Sequence, residues 1–136
     1  MSGATPSVED FAAVAEFRAA LRQFLRRSER VARASGLTPQ RHLLLLMIKG
    51  APDGSERSTV TELAQRLQLA QSTVTELVRR AEEAGLVERA PSPSDGRVAH
   101  LRLSDEGERR LGRTFIELEA ERRHLRAAFA QLDGNA

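Results

Sequence analysis

The sequence predicts a mainly α-helical single domain carrying one β-hairpin, and three observations carry that prediction. Apolar residues recur at helical spacing through most of the chain. Two long amphipathic segments, one near each end, repeat their apolar positions every seven residues. One stretch, "ERAPSPSDGRVAHLRLS" from Glu88 to Ser104, breaks the helical period with Pro, Ser and Gly and then alternates like a strand.

At 136 residues the chain is the size of one domain, or of one compact protomer in an oligomer. It is 40% hydrophobic and 29% charged, ordinary values for a globular protein. No apolar run approaches the ~20 residues of a membrane span, because "LLLLMI" from Leu43 to Ile48 stops at six. The start "MSGATPSVED" has neither the basic beginning nor the apolar run of an export signal, so the expected location is cytoplasmic, with no membrane partner. With no cysteine, disulfides and thiolate nucleophiles are excluded. The net charge is only +2, made from 20 Arg and one Lys against 19 acidic residues. Arg suits phosphate and base-edge recognition through its planar fork, but a skewed genome composition accounts for the count equally well. Local arrangement has to decide.

The first helix is expected from about Ser7 to Ser35. Glu9 and Asp10 suit its amino end, Phe17, Phe24 and Val31 share a seven-residue repeat, as do Val14 and Leu21, and Gly36 ends it. Thr38 and Pro39 open a second helix as N-cap and first residue. "GAPDGS" is a turn cluster, "STV" a short extended segment, and Thr61 is the expected cap of the third helix. A fourth helix follows after only a few residues. Then comes the hairpin, whose prolines sit at its tip, where they break no ladder bond, and whose returning strand alternates Ala99, Leu101 and Leu103 with Val98, His100 and Arg102. Ser104, Asp105 and Glu106 start a last helix with Leu111, Leu118, Leu125 and Leu132 in strict seven-residue register.

The two end helices, at about 1.5 Å per residue, make rods near 40 Å long. A compact chain of this size has a radius of gyration of roughly 14 Å, so one small core does not accommodate both apolar seams. A second copy of the chain would; an intramolecular hairpin of the two helices is the alternative.

The fourth helix raises the functional question. In "LAQRLQLAQSTVTELVRRAEEAGLV", Val74, Leu77, Val78, Ala81 and Leu86 supply a buried face. Gln71, Ser72, Thr75 and Arg79 fall on the opposite side. Short donors and acceptors keep a helix no more soluble than Lys and Glu do, but they fit base edges in a major groove. A helix just before it and a Pro-tipped hairpin after it complete the layout of a winged helix-turn-helix.

"LTPQRHLLLL", "TVTELAQRLQLAQSTVTELVRRAEEAGLVER" and "SDGRVAHLRLSDEG", with the heptad-bearing tail, resemble the MarR family of transcription regulators over about residues 10–130. The resemblance implies one domain over residues 1–136, with dimerisation helices at 8–35 and 105–132 and the DNA-binding winged helix at 36–104. It implies a homodimer on palindromic double-stranded DNA, a repressor in the reading adopted here, with no cofactor. By position, Gln71, Ser72, Thr73, Thr75 and Arg79 would face DNA from the helix. Arg97 of the wing would reach the minor groove or its phosphates, and Asp95 would orient Arg97 or Arg89. A small aromatic or anionic effector is a further implied partner, and Phe17, Arg18, Leu21, Phe24 and His42 are its implied pocket lining. Three positions depart from the family pattern: Gln68 where a turn Gly is usual, Ala70 where a Ser or Asp caps the helix, and Glu76 where many relatives are basic. Glu76 is read as a local ion-pair partner of Arg79 or Arg80, with acceptance from cytosine as the alternative.

Other chemistry finds little support. His42, His100 and His124 lack the companions and close spacing of a zinc site. Asp105, Glu106 and Glu108 sit where a helix start favours acids. There is no Gly-rich phosphate loop and no nucleophile with a base, so an enzyme is not expected. The competing reading is a winged-helix module that uses the same polar face against a protein. A wing built on Pro, Ser, Gly and Arg favours a groove, since a protein interface would place apolar or aromatic residues there.

Overall fold

A computed structural model describes residues 5–90 and 98–133. In chain order it contains α1 (Val8–Ala34), α2 (Pro39–Lys49), α3 (Val60–Leu67), α4 (Gln71–Glu83), β1 (Val87–Ala90), β2 (His100–Leu103), α5 (Asp105–Glu117), α6 (Glu119–Ala130) and a 3-10 turn (Gln131–Asp133). It is the expected mainly helical fold with one antiparallel hairpin. No described helix is long and apolar enough to cross a membrane.

Local chemistry sets most boundaries. Ser7 and Asp10 form a reciprocal capping box at the start of α1. Gly36, at φ 78°, lets the chain turn back so that the Leu37 N–H bonds the Ala32 carbonyl at 2.9 Å. Thr38 caps α2 with Pro39 in its first turn. The cap of α3 is Thr59 rather than Thr61: only Thr59 has Glu62 three residues on, and the two close a second capping box. Thr61 therefore lies within the first turn of α3. Just before it, Ser58 exchanges both backbone hydrogen bonds with Leu101, adding an isolated bridge to the hairpin.

The core joins α2, α3 and α4 to the base of the hairpin and the start of α5 through Leu44, Leu45, Ile48, Leu63, Val78 and Leu101, all essentially inaccessible. The hairpin pairs Val87 with Leu103 and Ala90 with His100. Ser104 performs two tasks at the next corner. Its hydroxyl accepts from the Gly107 N–H to cap α5 and donates to the Gly85 carbonyl, while its own N–H bonds the Leu86 carbonyl. Gly107 is buried here, and a Cβ on it would collide with the Leu86 carbonyl oxygen.

The ends of the chain differ from expectation in two ways. The last helix is divided at Leu118 (φ −99°, ψ 11°) instead of running unbroken over 105–132. Four residues earlier, Thr114 donates its hydroxyl to the Leu111 carbonyl, a side-chain bond that competes with the helix ladder and bends it. Moreover, α1 and α6 pack on each other within one chain. Phe17 meets Phe129 with ring centroids 5.8 Å apart, and Arg27 pairs with Glu121 at 3.2 Å. Of the leucine series, Leu111 joins the core built with α2, α3 and α4, Leu118 is buried within the chain, and Leu125 and Leu132 keep part of their surface exposed. What remains uncovered on the end helices is a different set: Val8, Phe11, Val14, Ile116 and Phe129 are all at least half exposed.

Candidate nucleic-acid interface

The interface begins with the turn between α3 and α4. Gln68 adopts the left-handed conformation (φ 57°, ψ 47°), which a Gly, the residue implied there by the resemblance, would adopt with less strain. Ala70 stands at the N-cap of α4 without a side-chain cap. The helix is nevertheless held, because Val74, Val78 and Ala81 are buried on its inner side. That packing fixes the opposite side, so Gln71, Ser72, Thr73, Thr75 and Arg79 are all exposed. Leu77, expected on the buried face, is only half-buried. Gln71 also reaches α3, its amide donating to the Thr61 hydroxyl at 3.3 Å. Reading Thr61 as a cap hid this contact from the sequence.

The cations of this surface are held by acids of α4. Arg79 donates Nε to Glu76 at 3.0 Å, Nη2 to the other oxygen of the same carboxylate, and Nη1 to Glu83. Arg80 donates Nε to Glu76 at 2.9 Å. Hydrogen bonds from Arg79 and then Arg80 hold the Glu76 carboxyl down to about 2. The ion-pair reading of Glu76 thus matches the geometry. Arg89, on β1, is exposed and donates to Glu82 at 2.9 and 3.3 Å. Asp95, offered from the sequence as its orienting partner, lies outside the described residues, as does Arg97.

A second feature is a cleft of about 400 Å³ where α1, α2 and α5 meet. Of the five residues offered as pocket lining, Phe24 and His42 line it. Phe17, Arg18 and Leu21 do not: Phe17 is turned into the α1–α6 contact, and Arg18 is exposed. The apolar wall comes instead from Leu25, Leu43, Leu46 and Phe115, with Arg122 stacked 3.7 Å above the Phe115 ring. The run "LLLLMI" supplied the signal for Leu43 and Leu46, since two of its leucines had to face away from the core. Burial lowers the His42 pKa. Its Nε2 lies 3.3 Å from the Thr114 hydroxyl, whose only proton is given to Leu111, so Nε2 is the donor in this pair. Among the described residues no group of His, Asp and Glu is arranged to hold a metal.

A family model described as MarR family matches residues 35–98, from the end of α1 into the hairpin. The chain is 42% identical over 50 residues to the HTH-type transcriptional repressor IacR of Pseudomonas putida, covering 37% of this chain and 30% of that protein. It is 33% identical over 94 residues to the HTH-type transcriptional repressor MdtR of Bacillus subtilis, covering 69% of this chain and 56% of that one. The chain thus spans about a third to a half of the length of these curated relatives. Among solved structures, the transcriptional regulator Tm0710 of Thermotoga maritima superposes with a TM-score of 0.64 at 27% identity, over 85% of this chain and 76% of that chain. A mutant of MarR from E. coli, complexed with operator DNA, superposes with a TM-score of 0.65 at 20% identity, over 79% and 75%. That last likeness concerns the fold alone. With the turn, the outward polar helix and the hairpin in the same order as in these relatives, the chain belongs to the MarR family of winged-helix proteins.

Proposed function

We propose that this protein is a sequence-selective regulator of transcription that binds double-stranded DNA as a homodimer and acts in the cytoplasm as a ligand-responsive repressor. The observation that carries this reading is the outer face of α4, where Gln71, Ser72, Thr73 and Thr75 stand exposed opposite Val74 and Val78. These short side chains match base edges in a major groove about as wide as a helix. The names of two curated relatives, both repressors, support the sign of regulation, and a fold neighbour bound to operator DNA supports the partner. The exposed apolar residues of the end helices, Phe11 and Ile116 among them, support association with a second copy. The cleft beside α2 suits a small, largely apolar effector bearing an acidic group near Arg122.

Selection of bound duplexes from a random pool tests this directly. The expected product is an inverted repeat with half-site centres about 34 Å apart. Thr75→Ala should flatten base preference at one or two positions per half-site. Arg97→Ala should weaken binding across sequences and lower the salt slope by about one unit per lost phosphate contact. A chain that enriches no duplex and shows no salt-dependent DNA binding would instead be a protein-interaction module.

A further inference from the structure

Three arginines border the reading face of α4, namely Arg79, Arg80 and Arg89, and each is held by a carboxylate of that same helix. Glu76 takes the first two, Glu83 adds a second hold on Arg79, and Glu82 takes Arg89. The three positive and three negative charges of these pairs cancel. The other arginine-rich segment is built differently. From Arg18 to Arg33 there are six Arg and one Glu, and among the described residues only Arg27 of these has a carboxylate in salt-bridge range. Pairing is thus dense on the reading helix and sparse on this stretch of α1, while the hairpin, α5 and α6 carry arginine–glutamate pairs of their own.

The spacing makes the clamp local and prompt. Glu76 precedes Arg79 by three residues and Arg80 by four, the acid-before-base order that suits a helix. Exposed pairs of this kind add little to stability. Their larger effect falls on binding, because Glu76 already takes two donors of Arg79 and the Nε donor of Arg80 that a phosphate would otherwise receive. The carboxylate also stays ionised throughout the range in which DNA binding is measured.

We propose that Glu76 is an internal stand-in for a DNA phosphate: it occupies Arg79 and Arg80 in the free protein and so restrains sequence-independent affinity. This inference rests on the proposed DNA-binding function. Non-specific binding derives almost wholly from phosphate contacts and counterion release. Every grip on DNA must first exchange carboxylate for phosphate at these two arginines. An operator undergoes the same exchange, but its base contacts leave it bound where a random duplex, held by phosphate contacts alone, is released. Glu76 thereby lowers general affinity without reading a base itself.

Glu76→Gln keeps the shape of the side chain and removes the competition. Full-length protein, wild type and variant, is titrated with a random-sequence duplex and with the pool-selected duplex at several salt concentrations. The expected result is a gain in random-duplex affinity of about threefold per protomer, hence about tenfold for a dimer. The salt slope should steepen by about 0.9 for each phosphate newly contacted, with the preferred base sequence unchanged. Glu119→Gln, a matched charge removal on α6, should alter neither quantity. Replacing Arg79 and Arg80 with Ala in the Glu76→Gln background should abolish the gain, because Glu76 acts through them. A gain that persists without the two arginines would mean simple repulsion of DNA and overturns the proposal. Unchanged binding, or a shifted base preference marking Glu76 as a direct reader, overturns it as well. If wild type binds neither duplex, the DNA-binding function falls and this inference with it; normal wild-type binding beside an unresponsive variant removes the inference alone. Matching thermal melts of the two proteins confirm that folding is intact.

Discussion

At the residue scale, the entrance to the reading helix combines two local costs. Gln68 holds a left-handed backbone, in which a Cβ crowds the next carbonyl at roughly 1 kcal/mol. Ala70 leaves the first N–H groups of α4 without a side-chain acceptor. Ala70→Ser should therefore stabilise the fold by about 1 kcal/mol, read as a higher urea midpoint at unchanged slope. Ala70→Asp should match that gain but weaken duplex binding, since it places a charge where the helix start would meet a phosphate. A midpoint that stays put in both variants would show that the uncapped start costs nothing. His42 gives a pH-dependent case. Its folded pKa lies below the ordinary 6.5, so the fold favours the neutral ring. Above 6.5 the ring is neutral in both states and contributes nothing. As pH falls through 6.5 the unfolded chain takes up the proton first, and stability declines until the lower folded value is passed. Urea unfolding at pH 7.5 and 5.5 should show a smaller loss in His42→Gln than in wild type; equal losses would assign the decline to other groups.

At the scale of elements, the sequence was most legible where a cap, a turn or a helical face is encoded within a few residues. The start of α1, the Thr38–Pro39 opening of α2, the Ser104 cap and the outward set on α4 all appear where their spacing placed them. Partnership between distant elements was much less legible. A seven-residue repeat states that a face is covered but not by what, so the sequence could not announce that Leu111 joins the core with α2, α3 and α4. The rotation of α1 against α2 is likewise tertiary, and it brings Phe24, three residues beyond Leu21 and six beyond Arg18, to the cleft. The bend at Leu118 was hidden because it follows from one Thr hydroxyl. Close packing at the α5 entrance gives a paired test. Gly107→Ala should cost about 2 kcal/mol through its clash with Leu86. Gly112→Ala, in the same helix but with open space around it, should gain roughly 0.5–1 kcal/mol. Thermal melts that move in the same direction for both would refute the packing account.

At the scale of the whole molecule, the proposed dimer would have to use what the chain does not bury for itself. Leu118 is 3% exposed within one chain, so Leu118→Glu would unfold the protein before it separated two copies. Phe11 and Ile116, 65% and 72% exposed, are better probes. Wild type is expected to sediment near twice its 15.0 kDa chain mass. Phe11→Glu with Ile116→Glu should shift it toward one chain while the melting curve remains cooperative. Wild type that sediments as a single chain at micromolar concentration would contradict the dimer. The corner at Ser104 then acquires a mechanical meaning. Because Ser104 bonds both the Gly85 carbonyl, two residues past α4, and the Gly107 N–H in the first turn of α5, the two helix ends are tied at one corner. If the proposed effector wedges beside α5, it need never come near DNA, for a tilt of α5 passed through this corner would swing the reading helix. Over the ~20 Å of the 13-residue α4, a tilt of about 10° would move the far end by about 3.5 Å. That is close to the 3.4 Å step between base pairs, enough to take the two reading heads of the proposed dimer out of phase with their half-sites.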